Sequence, residues 1–252
     1  MLKRDYLDWQ IERIDPKHTP WFGRKAVLEH QFRYNFAKIF VKNKVVIDLG
    51  CGVGYGTFVL AKARAKKVYG IDIDNDAIEY AKSHYCDKNI TYNVRDALKS
   101  KFPSRVADII IAFEVIEHVN NPKKFLEEAA RLLKPNGIFI MSTPNSEASF
   151  GDNPYHIKEF TFQELTKILS IFKTLQFYGQ HKVSKTIIKI YKTIANRVRI
   201  PFVHQLLRFR PWESPTIETI QSSLNTYLYF IVICKKDKNA VKESIYRDPQ
   251  EV

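Results

Sequence analysis

Residues 45–56 read Val-Val-Ile-Asp-Leu-Gly-Cys-Gly-Val-Gly-Tyr-Gly, an apolar, β-branched run that gives way to glycine at every second position. Such a run has the composition of a strand buried on both faces, and the glycines supply backbone conformations that other residues resist. A buried strand breaking into a glycine turn is the junction at which an open α/β sheet holds its ligand. The chain that follows keeps to that architecture. Val68–Ile73, Ile90–Val94 and Ile109–Ala112 are further short buried-strand runs, while Thr57–Ala65, Asp76–His84 and Pro122–Leu133 carry apolar residues at helical spacing. Pro122 suits a first helical position, and Lys134-Pro135-Asn136-Gly137 stops that helix and turns into a strand over Ile138–Ser142. Strands alternating with helices in this way predict a parallel sheet covered on both faces.

Past a polar loop, Thr143–Glu159, the pattern predicts a helix over Thr161–Ser170, a strand over Thr174–Tyr178 and a final, antiparallel strand over Asn225–Cys234. The expected fold is α/β: a doubly wound, Rossmann-like, mostly parallel seven-stranded sheet with helices on both faces. Its organisation reads as a helical cap over 1–42, a core over 43–180, a basic helical insertion over 181–224 before the last strand at 225–234, and a charged tail over 235–252. Lys173–Trp212 contains no Asp or Glu but many Lys and Arg, which sets the insertion apart.

The formal charge of +13 points to an anionic partner: nucleic acid, a nucleotide-linked metabolite or a membrane surface. Three scattered cysteines, Cys51, Cys86 and Cys234, make neither a disulfide framework nor a thiolate zinc site, which fits a reducing cytoplasm. Met1–Gln10 has no signal-peptide core and no uncharged apolar run reaches membrane-spanning length, so the expectation is a cytoplasmic protein with at most peripheral membrane contact.

Charge and spacing narrow the ligand. A dinucleotide fingerprint needs a third glycine three residues after the second; from Gly50 and Gly52 that position is Tyr55, and from Gly52 and Gly54 it is Thr57. Asp48, at the end of the first strand, repels a pyrophosphate and attracts an ammonium or sulfonium. Asp72 ends the second strand, where a carboxylate accepts both hydroxyls of a ribose. Asp96, after the third strand, is placed to accept from an adenine amino group, with Ile73 and Ala97 as apolar neighbours for the ring and Phe113 lining the pocket. Adenosine carrying a cationic tail meets these requirements. The alternative for Asp72 and for Asp96, each taken alone, is a solvated loop residue.

After the fourth strand, Phe113-Glu114-Val115-Ile116-Glu117-His118 gathers Glu114, Glu117 and His118 on one face if the chain turns helically. His156 lies in the loop after the fifth strand, at the same edge of the sheet. Carboxylates with imidazoles suit Mg²⁺, Mn²⁺, Fe²⁺ or Zn²⁺ without choosing among them. A competing reading has Glu114 orienting the cofactor and His118 capping a helix. With a metal, coordination lowers an acceptor hydroxyl's pKa; without one, His156 or His118 serves as general base, with Glu117 completing the catalytic group.

Taken in order over Lys44–Ser142, these motifs resemble class I S-adenosylmethionine-dependent methyltransferases. The resemblance implies S-adenosylmethionine as cofactor, with Asp48, Gly50 and Gly52 around its methionine part, Asp72 on the ribose and Asp96 on the adenine. The Glu-x-x-Glu-His element is similar to that of ubiquinone-biosynthesis O-methyltransferases and of metal-dependent small-RNA 2′-O-methyltransferases, which implies Glu114, Glu117, His118 and His156 as metal ligands. The segment from His18 through His30, Arg33 and Tyr34, with Asn153–Phe160, resembles bacterial methyltransferases of surface-polysaccharide synthesis. That likeness implies a sugar or nucleotide-linked sugar as acceptor, with Arg33 on the cofactor carboxylate and Tyr34 walling the pocket; a cap helix packed on the sheet explains both equally. An RNA 2′-O-methyltransferase, and a non-catalytic S-adenosylmethionine-binding regulator, are the alternatives.

Overall fold

The computed structural model of the chain describes residues 14–18, 24–149, 153–184, 217–219 and 227–236, with positions 186, 189 and 193. A helix, Arg24–Ala37 (α1), precedes the sheet. Five strands follow: Val45–Leu49 (β1), Lys67–Asp72 (β2), Ile90–Val94 (β3), Ala107–Phe113 (β4) and Leu133–Pro144 (β5). They pair in parallel in the spatial order β3-β2-β1-β4-β5. Tyr55–Lys62 (α2), Asn75–His84 (α3) and Pro122–Leu132 (α4) are the connecting helices.

Three of the helices start where a side chain caps them. The Asp74 carboxylate accepts from the Asp76 and Ala77 amides at the head of α3, and Asn121 accepts from the Lys124 amide ahead of Pro122 in α4. Phe162–Ile168 (α5) opens on a capping box in which Thr161 and Glu164 satisfy one another's backbone. α4 runs directly into β5, and Lys134–Gly137 form a bulge instead of a separate turn: Ala107 pairs with Leu133 but Ile109 with Ile138.

Alternation within β1 sorts the core into two layers. Val46 joins Leu60, Ile78, Ile111 and Ile140 beneath α1, α2 and α3; Ile47 and Leu49 join Ile71, Ile110, Phe125, Leu132 and Phe139 beneath α4 and α5. All of these are essentially inaccessible, and each such side chain contributes about 1.5–3 kcal/mol by leaving water.

Beyond β5 the sheet continues with Tyr227–Lys235 (β8), antiparallel to it, and Thr174–Lys182 (β6), antiparallel to β8. The seven expected strands are all present. Ile217–Thr219 (β7) adds a three-residue strand on the outer edge of β6, within the stretch read as helical. β6 also runs two residues past the expected start of that insertion, to Lys182. Of the insertion's remainder, 183 and 184 are irregular, positions 186, 189 and 193 are helical and the others lie outside the described residues, as do 1–13, 19–23 and 237–252. No described helix is long and apolar enough to cross a membrane.

The path β1-α2-β2-α3-β3 moves toward one edge, and β4 then returns to the other side of β1. The crevice between diverging connections opens at the carboxyl ends of β1 and β4. The carboxyl ends of β2, β3, β5 and β6 and the amino end of β8 share that edge.

Candidate functional site

The glycine turn is held from below. The Gly50 and Cys51 amides donate to the Ile71 carbonyl at 2.8 and 2.9 Å, and the Gly52 amide donates to Asp72 Oδ2 at 2.8 Å. Gly50 is in the left-handed region, φ +72°, and a Cβ there would stand 2.7 Å from Val115 Cγ2, so the turn after β4 packs directly on the loop. Around the Cβ position of Gly52 there is open space. Asp72 Oδ1 accepts from the Asp74 amide at 3.0 Å, and the Asp72 carbonyl accepts from the Arg95 amide at 2.8 Å. Asp72 thus ties the ends of the three strands together, its carboxylate holding the glycine turn after β1 and its backbone carbonyl the residue after β3. Beside it Ile73 is 73% exposed and Val94 45%, an uncovered apolar shelf at the ends of β2 and β3. Asp96 is exposed beyond the shelf, with Oδ1 accepting from the Leu98 amide at 2.8 Å, and Ala97 packs half-buried against the core.

Asp48 stands elsewhere than the charge argument assumed. Its side chain is fully buried beneath the loop; it accepts from Thr57 Oγ1 at 2.6 Å and from the Tyr34 hydroxyl at 3.1 and 3.2 Å. Burial pushes its pKa up to about 7 against the opposing pull of those two hydroxyls. The residue fastens α1 and α2 to β1, and at the edge itself Asp72 and Glu114 are the partly exposed carboxylates. Phe113 is likewise internal, edge-on to Tyr34 at 5.0 Å between centroids.

Arg33 is also redirected. The guanidinium is 2% exposed; Nε donates to Gln180 Oε1 at 2.7 Å, NH1 pairs with Glu114 Oε1 at 3.3 Å, and the plane lies 4.2 Å from the centre of the Tyr229 ring. It spans α1, β6, β8 and the turn after β4, and it braces Glu114. Glu114 accepts a second bond from Ser142 Oγ at 2.6 Å and has φ +56°, a strained conformation for a residue with a side chain. Near by, the Tyr55 hydroxyl and His30 Nδ1 are hydrogen-bonded at 2.6 Å, and burial, helped by the Arg33 charge, lowers the His30 pKa to about 3.

Because Glu114 turns left-handed, the expected helical face does not form. Ile116–His118 make a single 3-10 turn instead. Glu117, His118 and His156 come together, each with a ligand-type atom within 4.8 Å of the others, and Glu114 is not among them. Glu117 is fully buried: Oε2 accepts from Thr143 Oγ1 at 3.1 Å, while Oε1 has no hydrogen-bond partner. Burial, and after it the charge of Glu114, holds its pKa well above the usual carboxylate range. A buried carboxylate oxygen lacking a partner beside two imidazoles is a donor set that a divalent cation satisfies. The rings of His118 and His156 meet edge-on at 4.9 Å.

A sequence profile describing a methyltransferase domain matches residues 40–194, from the strand before the glycine turn through β6. The chain belongs to the methyltransferase-domain family. Within it, the chain has the Rossmann-like fold of the class I, S-adenosylmethionine-dependent members. A probable S-adenosylmethionine-dependent methyltransferase of Mycolicibacterium smegmatis is 30% identical over 155 residues, 59% of this chain and 57% of that protein. The mitochondrial ubiquinone biosynthesis O-methyltransferase of Dictyostelium discoideum is 35% identical over 148 residues, 54% of this chain and 46% of that one. The chain therefore spans about half the length of the curated relatives it matches. In three dimensions it resembles an S-adenosylmethionine-dependent methyltransferase of Archaeoglobus fulgidus, with a TM-score of 0.60 at 18% identity, covering 92% of this chain and all of that one.

Sequence reading of this methyltransferase domain missed the side chains that hold its site. Thr57, Ser142, Thr143, Gln180 and Tyr229 are each remote in sequence from the group they support, and no local pattern marks them. Asn153 and Glu159, three residues either side of His156, were within reach of a local reading.

Proposed function

We propose that this chain transfers the methyl group of S-adenosylmethionine to a hydroxyl oxygen of a sugar or nucleotide-linked sugar, with a divalent cation held by Glu117, His118 and His156. The observation that carries this reading is the partnerless buried oxygen of Glu117 beside both histidines, at the edge where the glycine loop and Asp72 lie. Asp72 accepts the ribose hydroxyls, Ile73 and Val94 cover the adenine ring, and Asp96 accepts from its amino group. The open side of Gly52 leaves room for the methionine part. Glu114, braced by Arg33 and Ser142, faces its positive charge with Asp72.

Displacement forms an oxygen–carbon bond as the sulfur–carbon bond breaks, and requires in-line approach and removal of the acceptor's proton. A bound divalent cation supplies the Lewis acidity that brings an alcohol's pKa toward neutrality. With both histidines holding the cation, the acidified hydroxyl would give its proton to water; were no cation bound, His156, held by Glu159, would take the proton at its unprotonated ring nitrogen. An oxygen acceptor is supported by the O-methyltransferases among the relatives, and a sugar by the likeness of residues 18–34 and 153–160 to polysaccharide-linked enzymes.

The test is transfer of labelled methyl from S-adenosylmethionine to nucleotide sugars, phosphorylated sugars and short RNAs, with chelator or with each of Mg²⁺, Mn²⁺, Fe²⁺ and Zn²⁺. Label on a sugar hydroxyl, lost on chelation and restored by one metal, is the expected result. Label on RNA ribose refutes the acceptor class, chelator-resistant transfer refutes the metal, and binding without transfer to any acceptor leaves a regulator.

A further inference from the structure

The loop that carries His156 is attached to the turn that carries Glu117 and His118. The Ile157 and Lys158 amides donate to the Glu117 carbonyl at 2.8 and 3.2 Å, so the loop reaches the turn through backbone as well as side chains. Two further contacts concern the imidazoles. The Tyr155 carbonyl lies 3.0 Å from His118 Nδ1, and Glu159 Oε1 lies 2.7 Å from His156 Nδ1. Carbonyl and carboxylate oxygens accept, so each Nδ1 is the protonated nitrogen. On the opposite side of His156, Asn153 Nδ2 stands 2.9 Å from Nε2. The orientation of that amide is set by the Tyr155 backbone N–H, which donates to Asn153 Oδ1 at 3.0 Å. A donor therefore faces Nε2, which carries the lone pair. His156 and Glu159 are both nearly buried, 14% and 12% exposed, so water competes poorly for this bond.

We propose that the 153–159 loop sets the tautomer of both histidines, with Glu159 as a positioning residue, so that His118 and His156 each keep the proton on Nδ1 and offer Nε2 to the ligand beside Glu117. The inference rests on the reading of these residues as the working group of the site. Asn153 holds the His156 lone pair until a stronger partner takes its place. Removing a partner of this kind from a metal-binding histidine costs about 10–100-fold in affinity.

The experiment is long-range ¹H–¹⁵N correlation on full-length chain labelled with ¹⁵N-histidine, at about pH 8, above the ordinary imidazole range. His118→Asn and His156→Asn assign the two rings among the seven histidines. Both rings are expected as the Nδ1–H form. Glu159→Leu is expected to move His156 toward the Nε2–H form and leave His118 unchanged, and Glu159→Gln, which still accepts, to keep the wild-type pattern. An Nε2–H signal for either ring in the wild type, or an unaltered His156 in Glu159→Leu, overturns the proposal. Should Glu159→Leu not fold, the wild-type spectrum decides alone. Calorimetry with Mn²⁺ runs in parallel, and Glu159→Leu is expected to bind about 10–100-fold more weakly than Glu159→Gln. Wild-type chain that binds none of Mn²⁺, Mg²⁺, Fe²⁺ and Zn²⁺ in the same measurement refutes the metal in the proposed function, and the tautomers still stand or fall on the spectrum.

Discussion

Asp48 offers a quantitative check on how the glycine loop is held. Burial raises its pKa from 3.8 to about 7. An acid that binds its proton more tightly when folded contributes stability at low pH that is lost as the pH rises from the unfolded value through the folded one. Integrated between pH 5 and pH 8, a shift of that size removes about 2.5 kcal/mol, on the usual 1.36 kcal/mol per unit. Asp48→Asn is close in shape, still accepts from Thr57 and Tyr34 through its amide oxygen, and carries no charge. Urea denaturation of both proteins at the two pH values is the assay. The variant is expected to lose stability at pH 5, where it gives up one accepting oxygen, and to gain on wild type by about 2.5 kcal/mol on going to pH 8. An equal difference at both pH values refutes the account of Asp48 as a buried, proton-holding fastener and returns it to the cofactor edge.

Three further outcomes follow from the same geometry. Gly56→Ala drives a methyl into the Tyr34 ring and is expected to cost about 1–3 kcal/mol in a denaturant titration; a neutral result removes Tyr34 from its place over the loop. Arg33→Lys cannot reach Gln180 and Glu114 together and is expected to lose about 3 kcal/mol by the same measurement, whereas wild-type stability shows that the guanidinium does not brace Glu114. Glu117→Gln removes a buried acid held well above its usual range, so the variant is expected to melt higher than wild type at about pH 8 and to transfer no methyl; a lower melting temperature with transfer intact contradicts its assignment.

The parts of the fold legible in the sequence are those specified locally. Val45–Leu49 declares a buried strand, four alternate glycines declare the turn, and the pattern from Thr161 declares a helix; all three stand where composition and spacing put them. Asp72 at the end of β2 was legible for the same reason. What escaped was specified by distant partners. Asp48 looked like an edge carboxylate because nothing local shows that Tyr34 will close over it from α1. Glu114 was grouped with Glu117 and His118 because helical spacing was assumed, and one left-handed residue, stabilised by Ser142 and Arg33 from other elements, rotates it out of the group. β7 was missed because a three-residue edge strand carries too little pattern to stand out from a basic stretch.

The central claim is that the carboxyl edge of β1, β2 and β3 takes adenosine joined to a cationic tail. Titration of S-adenosylmethionine into the wild type and into Asp72→Ala, with NAD⁺ and NADH as competitors, addresses it most directly. The expected result is one equivalent bound by the wild type, at least about tenfold weaker binding by the variant, and no displacement by either dinucleotide. Absent binding, equal affinity in the variant, or displacement by NADH contradicts the account.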